Sequence, residues 1–483
     1  MMNKTRYGLF KVMVLFFSLT MTIKAQEKYN VLFIACDDLR TDLGCYGNDL
    51  VKSPHIDQLA REGVLFDKAY CQQALCAPSR ISVMTGRRPD NTRSWNLTAP
   101  IRRTDDVVTL PEQFKKNGYF TQDIGKIYHN WHVDGHADYP ESWSVEPVMH
   151  YGTHNDDVPQ VRGKLPENTA GTKWTKRLDV PDEAYYDGRI AQKAVEALQG
   201  FSGNPGQPFF LAVGFWKPHL PFNAPEKYWD MYDKDLIPAV YNGDPPKRIP
   251  EIALHDSWEF FRGEPNTLSE SDVLELRHGY LAAVSFLDAQ VGKVLSELKR
   301  LQLDKNTIVV FWSDHGFQLG EHSLWGKNSN FENDARVPFI ISVPGEGMKG
   351  HKTGSLAELL DIYPTLLELC GIEEPEGIQG KSLVPVLKDG NATVNDAVFT
   401  QHPRPMYYKG KPDVMGYSVR TDRWRYTEWL DFDTREIVDR ELYDHYYDDK
   451  ESINLAREKR FRKVVDELHR KLQGAIVEPL VKR

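Results

Sequence analysis

Apolar positions along this chain fall into two alternating textures. YNVLFIACDD (29–38), YFTQDIGKIYH (119–129), PFFLAVGFWKPHLPF (208–222), NTIVVFWSDHG (306–316) and ARVPFIISVPG (335–345) are short apolar runs rich in β-branched and aromatic residues. Such runs predict strands buried on both faces. Between them lie segments with helical spacing. SPHIDQLAREG (53–63) has a cap at Ser53, Pro54 near its start and Gly63 as its stop, and TLPEQFKKNG (109–118) repeats this with Thr109, Pro111 and Gly118. Ile190, Ala194 and Leu198 mark one helix face, and Val284, Leu287, Val291, Val294 and Leu298 another. LAELLDIYPTLLELCG (356–371) predicts a helix kinked or broken at Pro364. Alternating strands and helices predict an α/β fold, a large mixed, mostly parallel sheet flanked by helices. From about residue 386 the pattern changes. DAVFTQH, GYSVRTD and RWRYTEWL read as strands joined by turns, and roughly 451–472 as an amphipathic helix. The expected division is therefore a large α/β domain over 26–385 and a smaller α+β subdomain over 386–483.

The polar residues that interrupt this pattern sit at strand ends. Asp37, Asp38, Lys126, His129, His219, Asp314 and His315 all fall at or just after the carboxyl end of a predicted strand. Open α/β sheets bind ligands there, so residues spread over much of the chain converge on one cleft. Asp37 and Asp38 would point to opposite faces within a strand, but at its terminus both can turn onto one ion. Three carboxylates around one point repel unless a cation lies between them. Oxygen-rich donors favour Ca²⁺ or Mg²⁺, while the imidazole leaves zinc or manganese open by ligand type. Lys126 and Lys327 add two cations, and His129 and His219 two proton carriers. That set suits an anionic ester. Taken singly, a histidine is more often structural than catalytic and a lysine more often a solvated surface charge.

Composition narrows the partners. The net charge of −9, without a long acidic or basic block, argues against nucleic acid. A local basic group nevertheless follows residue 76: Arg80, Arg87, Arg88, Arg93, Arg102 and Arg103. The N-terminus has a basic stretch, the apolar run VMVLFFSLTMTI and then KAQ, the pattern of a signal peptide cut after Ala25. The mature chain is expected to be exported, with no membrane segment. Its five cysteines, Cys36, Cys45, Cys71, Cys76 and Cys370, are too few for a disulfide scaffold, and only a Cys45–Cys71 bridge is left open. Asn96 and Asn391 stand in sequons, which matter only in a eukaryotic secretory route. Sparse sequons and cysteines favour a bacterial periplasm over a lysosome.

Cys76 stands in C-x-P-x-R with Pro78 and Arg80, followed by Thr85, Gly86 and Arg87. This motif resembles the type I sulfatase signature. The likeness continues in order through Asp37–Asp38, Gly125–Lys126, Lys217-Pro218-His219, Asp314-His315-Gly316, Lys327 and ELYDHYYDDKESINLA. It spans essentially the whole mature chain and implies the alkaline-phosphatase-like sulfatase fold. It also implies that a maturation enzyme oxidises Cys76 to formylglycine. The aldehyde hydrate would carry two hydroxyls: one attacks sulfur, and the other then gives up its proton and expels sulfate. By the same resemblance Asp37, Asp38, Asp314 and His315 hold Ca²⁺ with residue 76, Mg²⁺ being the lesser choice. Many members have asparagine where His315 stands. Arg80 would hold the hydrate, Lys126 and Lys327 clamp sulfate, His219 protonate the leaving alcohol and His129 accept the proton that triggers release.

Within that family TGRRPDNTRSWN, GKIYHN, WKPHLPF, GEHSLWGKNSNFE and ARVPFI are most similar to iduronate-2-sulfatases and related uronate 2-O-sulfatases. Their substrates are sulfated glycosaminoglycans such as heparan sulfate. A uronate carries a carboxylate beside its sulfate and needs a further cation, for which Arg93, Lys217 and His322 are the candidates. Action on a chain end predicts a pocket and not an open groove. The rival readings are a sulfatase for N-acetylglucosamine-6-sulfate or choline sulfate, a phosphonate monoester hydrolase, and a glycan-binding protein with an inert site.

Overall fold

The computed structural model describes residues 28–102, 107–129, 138–149, 159–161, 170–171, 173–264, 268–345 and 348–476. The expected signal segment and Arg103 lie outside the described residues. Eight strands form the main sheet: β1 (Asn30–Asp37), β2 (Val64–Tyr70), β3 (Phe120–Gly125), β4 (Phe209–Pro218), β5 (Thr307–Ser313), β6 (Arg336–Val337), β7 (Phe339–Ser342) and β8 (His351–Glu358). Their order is β6-β2-β7-β5-β1-β4-β3, with β8 paired to β2. The pairs β5–β1, β1–β4, β4–β3 and β8–β2 are parallel; β6 and β7 run antiparallel to their neighbours. Because β7 opposes both β2 and β5, β2 points the same way as β5. The carboxyl ends of β2, β5, β1, β4 and β3 therefore share one edge, as the sequence pattern predicts.

Two apolar cores cover the two faces of this sheet, one around Leu32, Ile34, Leu211 and Val213, the other around Val31, Phe33, Phe210 and Ala212. Successive residues of β1 and β4 thus feed opposite cores, which is why these strands read as unbroken apolar runs. The helix Glu270–Arg300 crosses one face and begins with a Ser269–Asp272 capping box. Its Asp288 accepts the backbone N–H groups of His55 and Ile56 at 3.1 and 2.8 Å, satisfying the start of the helix Pro54–Glu62.

Three sequence expectations shift. ARVPFIISVPG is split at Pro338 into β6 and β7, because proline supplies no N–H to the ladder. Leu356–Glu358 finish β8, and the helix runs from Ile362 to Cys370. Pro364 sits in its first turn, where a missing N–H breaks nothing. The last helix is Arg462–Ala475, later than 451–472.

The C-terminal part is an antiparallel meander of β9 (Val398–Arg404), β10 (Val414–Arg420), β11 (Trp424–Asp431) and β12 (Ile437–Asp444). Leu468 and Leu472 of the last helix are buried against it. All five cysteines are free, so packing and not crosslinks holds the fold. No helix among the described residues is long and apolar enough to cross a membrane.

Candidate active site

The shared carboxyl edge gathers most of the sequence-predicted residues. Asp37 ends β1, and Asp38 follows with φ 64, a left-handed turn that brings its carboxylate back toward that of Asp37. Tyr280 of the long helix holds this turn, donating to the Asp38 carbonyl at 2.9 Å and accepting the Arg40 N–H at 3.0 Å. Cys76 opens the fully buried helix Cys76–Thr85 just beyond β2. Its Sγ lies 3.4 Å from Asp37 Oδ1 and 3.3 Å from His315 Nε2.

Donor atoms of Asp37, Asp38, Cys76 and His315 all lie within 4.8 Å of one another. His315 Nδ1 faces the Gly316 carbonyl at 2.9 Å. A donated Nδ1–H there leaves Nε2 with its lone pair toward the cluster, the arrangement a metal-binding histidine uses. Burial raises the Asp38 carboxyl pKa, although His219 and Lys327 pull it down. Crowded buried carboxylates with an inward imidazole lone pair fit a divalent cation. Asp314 stands beside these donors, its Oδ1 3.6 Å from His315 Nε2. Its Oδ2 accepts Arg80 Nε at 2.8 Å, and its Oδ1 accepts the N–H groups of Asp38 and His315 at 3.3 and 3.0 Å. It also orients the group through these contacts.

Arg80 is likewise not a cleft residue. It is wholly buried, with Nη2 donating to the Cys36 carbonyl at 3.0 Å and standing 3.7 Å from Asp37 Oδ1. It also donates to the carbonyls of Lys126 and Ile127. It thus balances the acidic cluster from behind and ties the ends of β1, β3 and β5 together. Lys126 enters where β3 and β4 end. Gly214 accepts the Lys126 N–H at 2.8 Å, and a Cβ on Gly214 would fall 2.0 Å from the Lys126 carbonyl oxygen. The Lys126 ammonium pairs with Asp37.

In front of this layer opens a cleft of about 480 Å³. Its floor includes Cys76, His129, His219 and Lys327. Lys327 Nζ stands 2.9 Å from Asp38 Oδ1 and 3.2 Å from Glu259 Oε1. Burial opposes the Lys327 ammonium, but Asp38, Cys76 and Glu259 outweigh it and hold its pKa well above the usual value. His219 Nδ1 meets the Leu220 carbonyl at 2.6 Å, and its Nε2 lies 3.1 Å from Glu259 Oε1. Burial, reinforced by Lys126, pushes the His129 pKa well below its ordinary value, so its imidazole is neutral. Burial and then Asp37 push the Cys76 thiol well above its ordinary pKa. A helix N-terminus usually favours a thiolate, and here the desolvation wins.

The three expected carboxylate-binding candidates are not brought to the cleft. Lys217 Nζ donates to the carbonyls of His219 and Pro221 at 3.3 and 2.8 Å, shaping the loop that carries His219. His322 packs on Phe331 and its Nε2 faces the Lys450 carbonyl at 2.8 Å, against the C-terminal part. Arg93 follows the short helix Pro89–Thr92 with φ 55 and is outside the cleft lining. The walls come instead from Lys173, Trp174, Trp258, Glu259, Arg262 and Tyr407. None of these stands in a motif. The aromatic density of WEFFR (258–262) is the one signal that marks part of this wall.

Residues 29–372 match the sulfatase family, and residues 320–478 match the family described as N-sulphoglucosamine sulphohydrolase, C-terminal. The chain is 35% identical over 481 residues to iduronate 2-sulfatase of Mus musculus, covering 86% of this chain and 87% of that protein. Against the Homo sapiens iduronate 2-sulfatase it is 35% identical over 480 residues, with 85% and 87% covered. Among solved structures, one determined with its substrate D-glucosamine-2-N,6-O-disulfate superposes with a TM-score of 0.75 at 22% identity, covering 94% of this chain and 100% of that one. The phosphonate monoester hydrolase of Agrobacterium radiobacter gives 0.77 at 22% identity, covering 92% and 95%. These two structures share the fold. The family match over most of the chain, and the two relatives across nearly their full length, establish that this chain belongs to the sulfatase family and is a sulfuric ester hydrolase.

Proposed function

We propose that the enzyme removes the 2-sulfate of a uronic acid, iduronate or its unsaturated counterpart, at the non-reducing end of heparin, heparan sulfate or a related glycosaminoglycan oligosaccharide. The observation that carries this reading is the cleft that ends on Cys76, in a chain 35% identical to iduronate 2-sulfatases. A cleft whose nucleophile position, proton carriers and cation share one floor suits the end of a chain. The rest of the assignment follows from residues already placed. Asp37, Asp38, Asp314 and His315, with residue 76, would hold Ca²⁺, and the ion would polarise the sulfate and neutralise the cluster. Formylglycine at position 76, made by a maturation enzyme, would supply a hydrated oxygen nucleophile where the high-pKa thiol stands.

Lys327 is the cation that lines the cleft beside that position, and Lys126 reinforces it from behind Asp37. Both are assigned to the negative charge of the sulfate. His219 Nε2 is the proton donor to the leaving sugar oxygen, and the neutral His129 is the proton acceptor. Residues 1–25 are assigned as an export signal, with a bacterial periplasm as the destination.

The test is sulfate release from three matched disaccharides, sulfated only at the uronate 2-position, only at glucosamine position 6, or only on nitrogen. The protein comes from a host that converts the cysteine, and the mass of the residue 76 peptide is checked. Release from the 2-sulfate alone is the expected result. Release from the 6-sulfate alone overturns the position assigned here. No release from any, with residue 76 converted, moves the assignment to another sulfate ester or to phosphonate monoesters.

A further inference from the structure

Three lysine or arginine side chains line the cleft: Lys327, Lys173 and Arg262. Lys327 is held by Asp38 and Glu259 on the floor. The other two are at the exposed rim, and each lies over a tryptophan of the same wall. Lys173 Nζ is 4.3 Å from the Trp174 ring centre, and Arg262 Cζ is 4.5 Å from that of Trp258. Among the described residues neither makes an ion pair with a carboxylate. Two unpaired cations at the mouth of a sulfate-ester site mark a substrate with more than one anionic group.

Arg262 is the more closely oriented of the two. It closes the short helix Trp258–Phe261 in a left-handed conformation, φ 54, with its N–H on the Trp258 carbonyl at 2.7 Å. Trp258 packs in turn against Tyr407, with the ring centres 4.8 Å apart and the planes tilted by 59°, and Tyr407 reaches the cleft from the loop between β9 and β10. The Trp258 ring backs the guanidinium at 4.5 Å, and among the described residues no other side chain pairs with it. A planar fork presented in this way matches a carboxylate, which it grips with two parallel hydrogen bonds. Glu259 lies within the short helix that Arg262 caps, and both residues line the cleft. Glu259 touches the floor through Lys327 and His219, so this short segment runs from the ester site to Arg262 at the rim. In a uronate 2-sulfate, carbons 2 and 5 are opposite each other across the ring, and carbon 5 bears the carboxylate. The second anion is therefore displaced from the ester by the width of one sugar.

Resting on the uronate reading above, the geometry points to Arg262, backed by Trp258 and Tyr407, as the specificity-determining residue that binds the substrate carboxylate. The test uses Arg262→Gln and Arg262→Lys with three substrates: a 2-sulfated uronate disaccharide, its carboxyl-reduced counterpart and a simple aryl sulfate. Arg262→Gln is expected to raise KM for the uronate roughly ten- to a hundredfold with little change in kcat. The other two substrates are expected to react as with the unaltered enzyme, which also reports that the variant is folded. Arg262→Lys is expected to recover part of the loss. An equal loss on all three substrates, or no loss on the uronate, overturns the inference while the 2-sulfatase reading stands. If the unaltered enzyme leaves the 2-sulfated uronate intact but cleaves the aryl sulfate, both fall together.

Discussion

Cys76 is an acid so weak in this setting that as a thiol it is no nucleophile near neutral pH. Catalytic cysteines need the opposite shift, a lowered pKa and a positive neighbour. Burial dominates here and the Asp37 carboxylate adds to it. Protein carrying unconverted Cys76 is therefore expected to fold and to be inactive. Cys76→Ala should match it, with a rate loss on the order of a thousandfold or more at an unchanged melting temperature. Mass spectrometry of the residue 76 peptide against specific activity checks this: activity should rise in proportion to the converted fraction. Sulfate release by the unconverted thiol would refute it. Asp37 and Asp38 carry a second expectation. Chelation should abolish activity, and Ca²⁺ should restore it, with metal content and rate measured together. At these positions the sequence was informative because a carboxylate pair ending an apolar run has few structural uses. Lys217 was misleading for a physical reason. Its neighbours in KPH lie in the site, but its own ammonium turns back to two loop carbonyls. Glu259 and Arg262 were invisible because their meaning comes from the long-range contact of a short helix with Lys327 and the floor.

Strand ends deliver the side chains of the candidate site, so the close approach of two strands sets their accuracy. Gly125 has φ 92, and a Cβ there would fall 2.2 Å from the Gly214 carbonyl oxygen. Gly214 is as tightly placed, against the Lys126 carbonyl. Backbone must move to admit a methyl at either position. Gly214→Ala is expected to displace Lys126 and lower kcat by about a hundredfold, the cost of an ångström-sized misplacement. The check is kcat with the far-ultraviolet spectrum of the same preparation; near-normal turnover would show that Lys126 placement does not depend on this crossing. The apolar runs made β1, β3, β4 and β5 legible, because strands buried on both faces need unbroken apolar sequence. The antiparallel direction of β7 was not legible. Strand direction follows from how connections return across the sheet, and burial is the same either way. Leu356–Glu358 read as helix for a related reason: a short apolar segment fits either period until its neighbour β2 is known.

The C-terminal meander completes the cleft through Tyr407, so its attachment bears on function as well as stability. A buried ionic group makes that attachment. Arg425 Nε stands 2.6 Å from Glu451 Oε1 and its Nη2 2.5 Å from Glu332 Oε2, with His445 Nε2 3.0 Å from Glu451. Glu332 belongs to the catalytic part, and the other three to the C-terminal part. Burial would raise the Glu332 carboxyl pKa, but Arg420, His445 and Arg425 reverse this and hold it well below the ordinary range. Glu451 is lowered too, with burial again outweighed, here by Arg425 first. A carboxyl whose folded pKa lies below its unfolded value of about 4.3 stabilises the fold fully above that pH. The contribution fades as acid carries the solution down toward the folded pKa. Arg425→Met leaves two carboxylates buried without their shared cation, at a cost of about 3–5 kcal/mol. The variant is expected to lose that stability at pH 7, where the ion group is intact in the parent, and much less near pH 3. Denaturant unfolding of both proteins across that range measures the difference, and a gap that stays constant from pH 7 to pH 3 would show that the guanidinium contributes through packing and not charge. Tyr407 adds a functional reading of the same variant. If the meander loosens before the main sheet unfolds, KM for the disaccharide should rise while the rate on a small aryl sulfate holds, because only the larger substrate reaches the Trp258–Tyr407 wall.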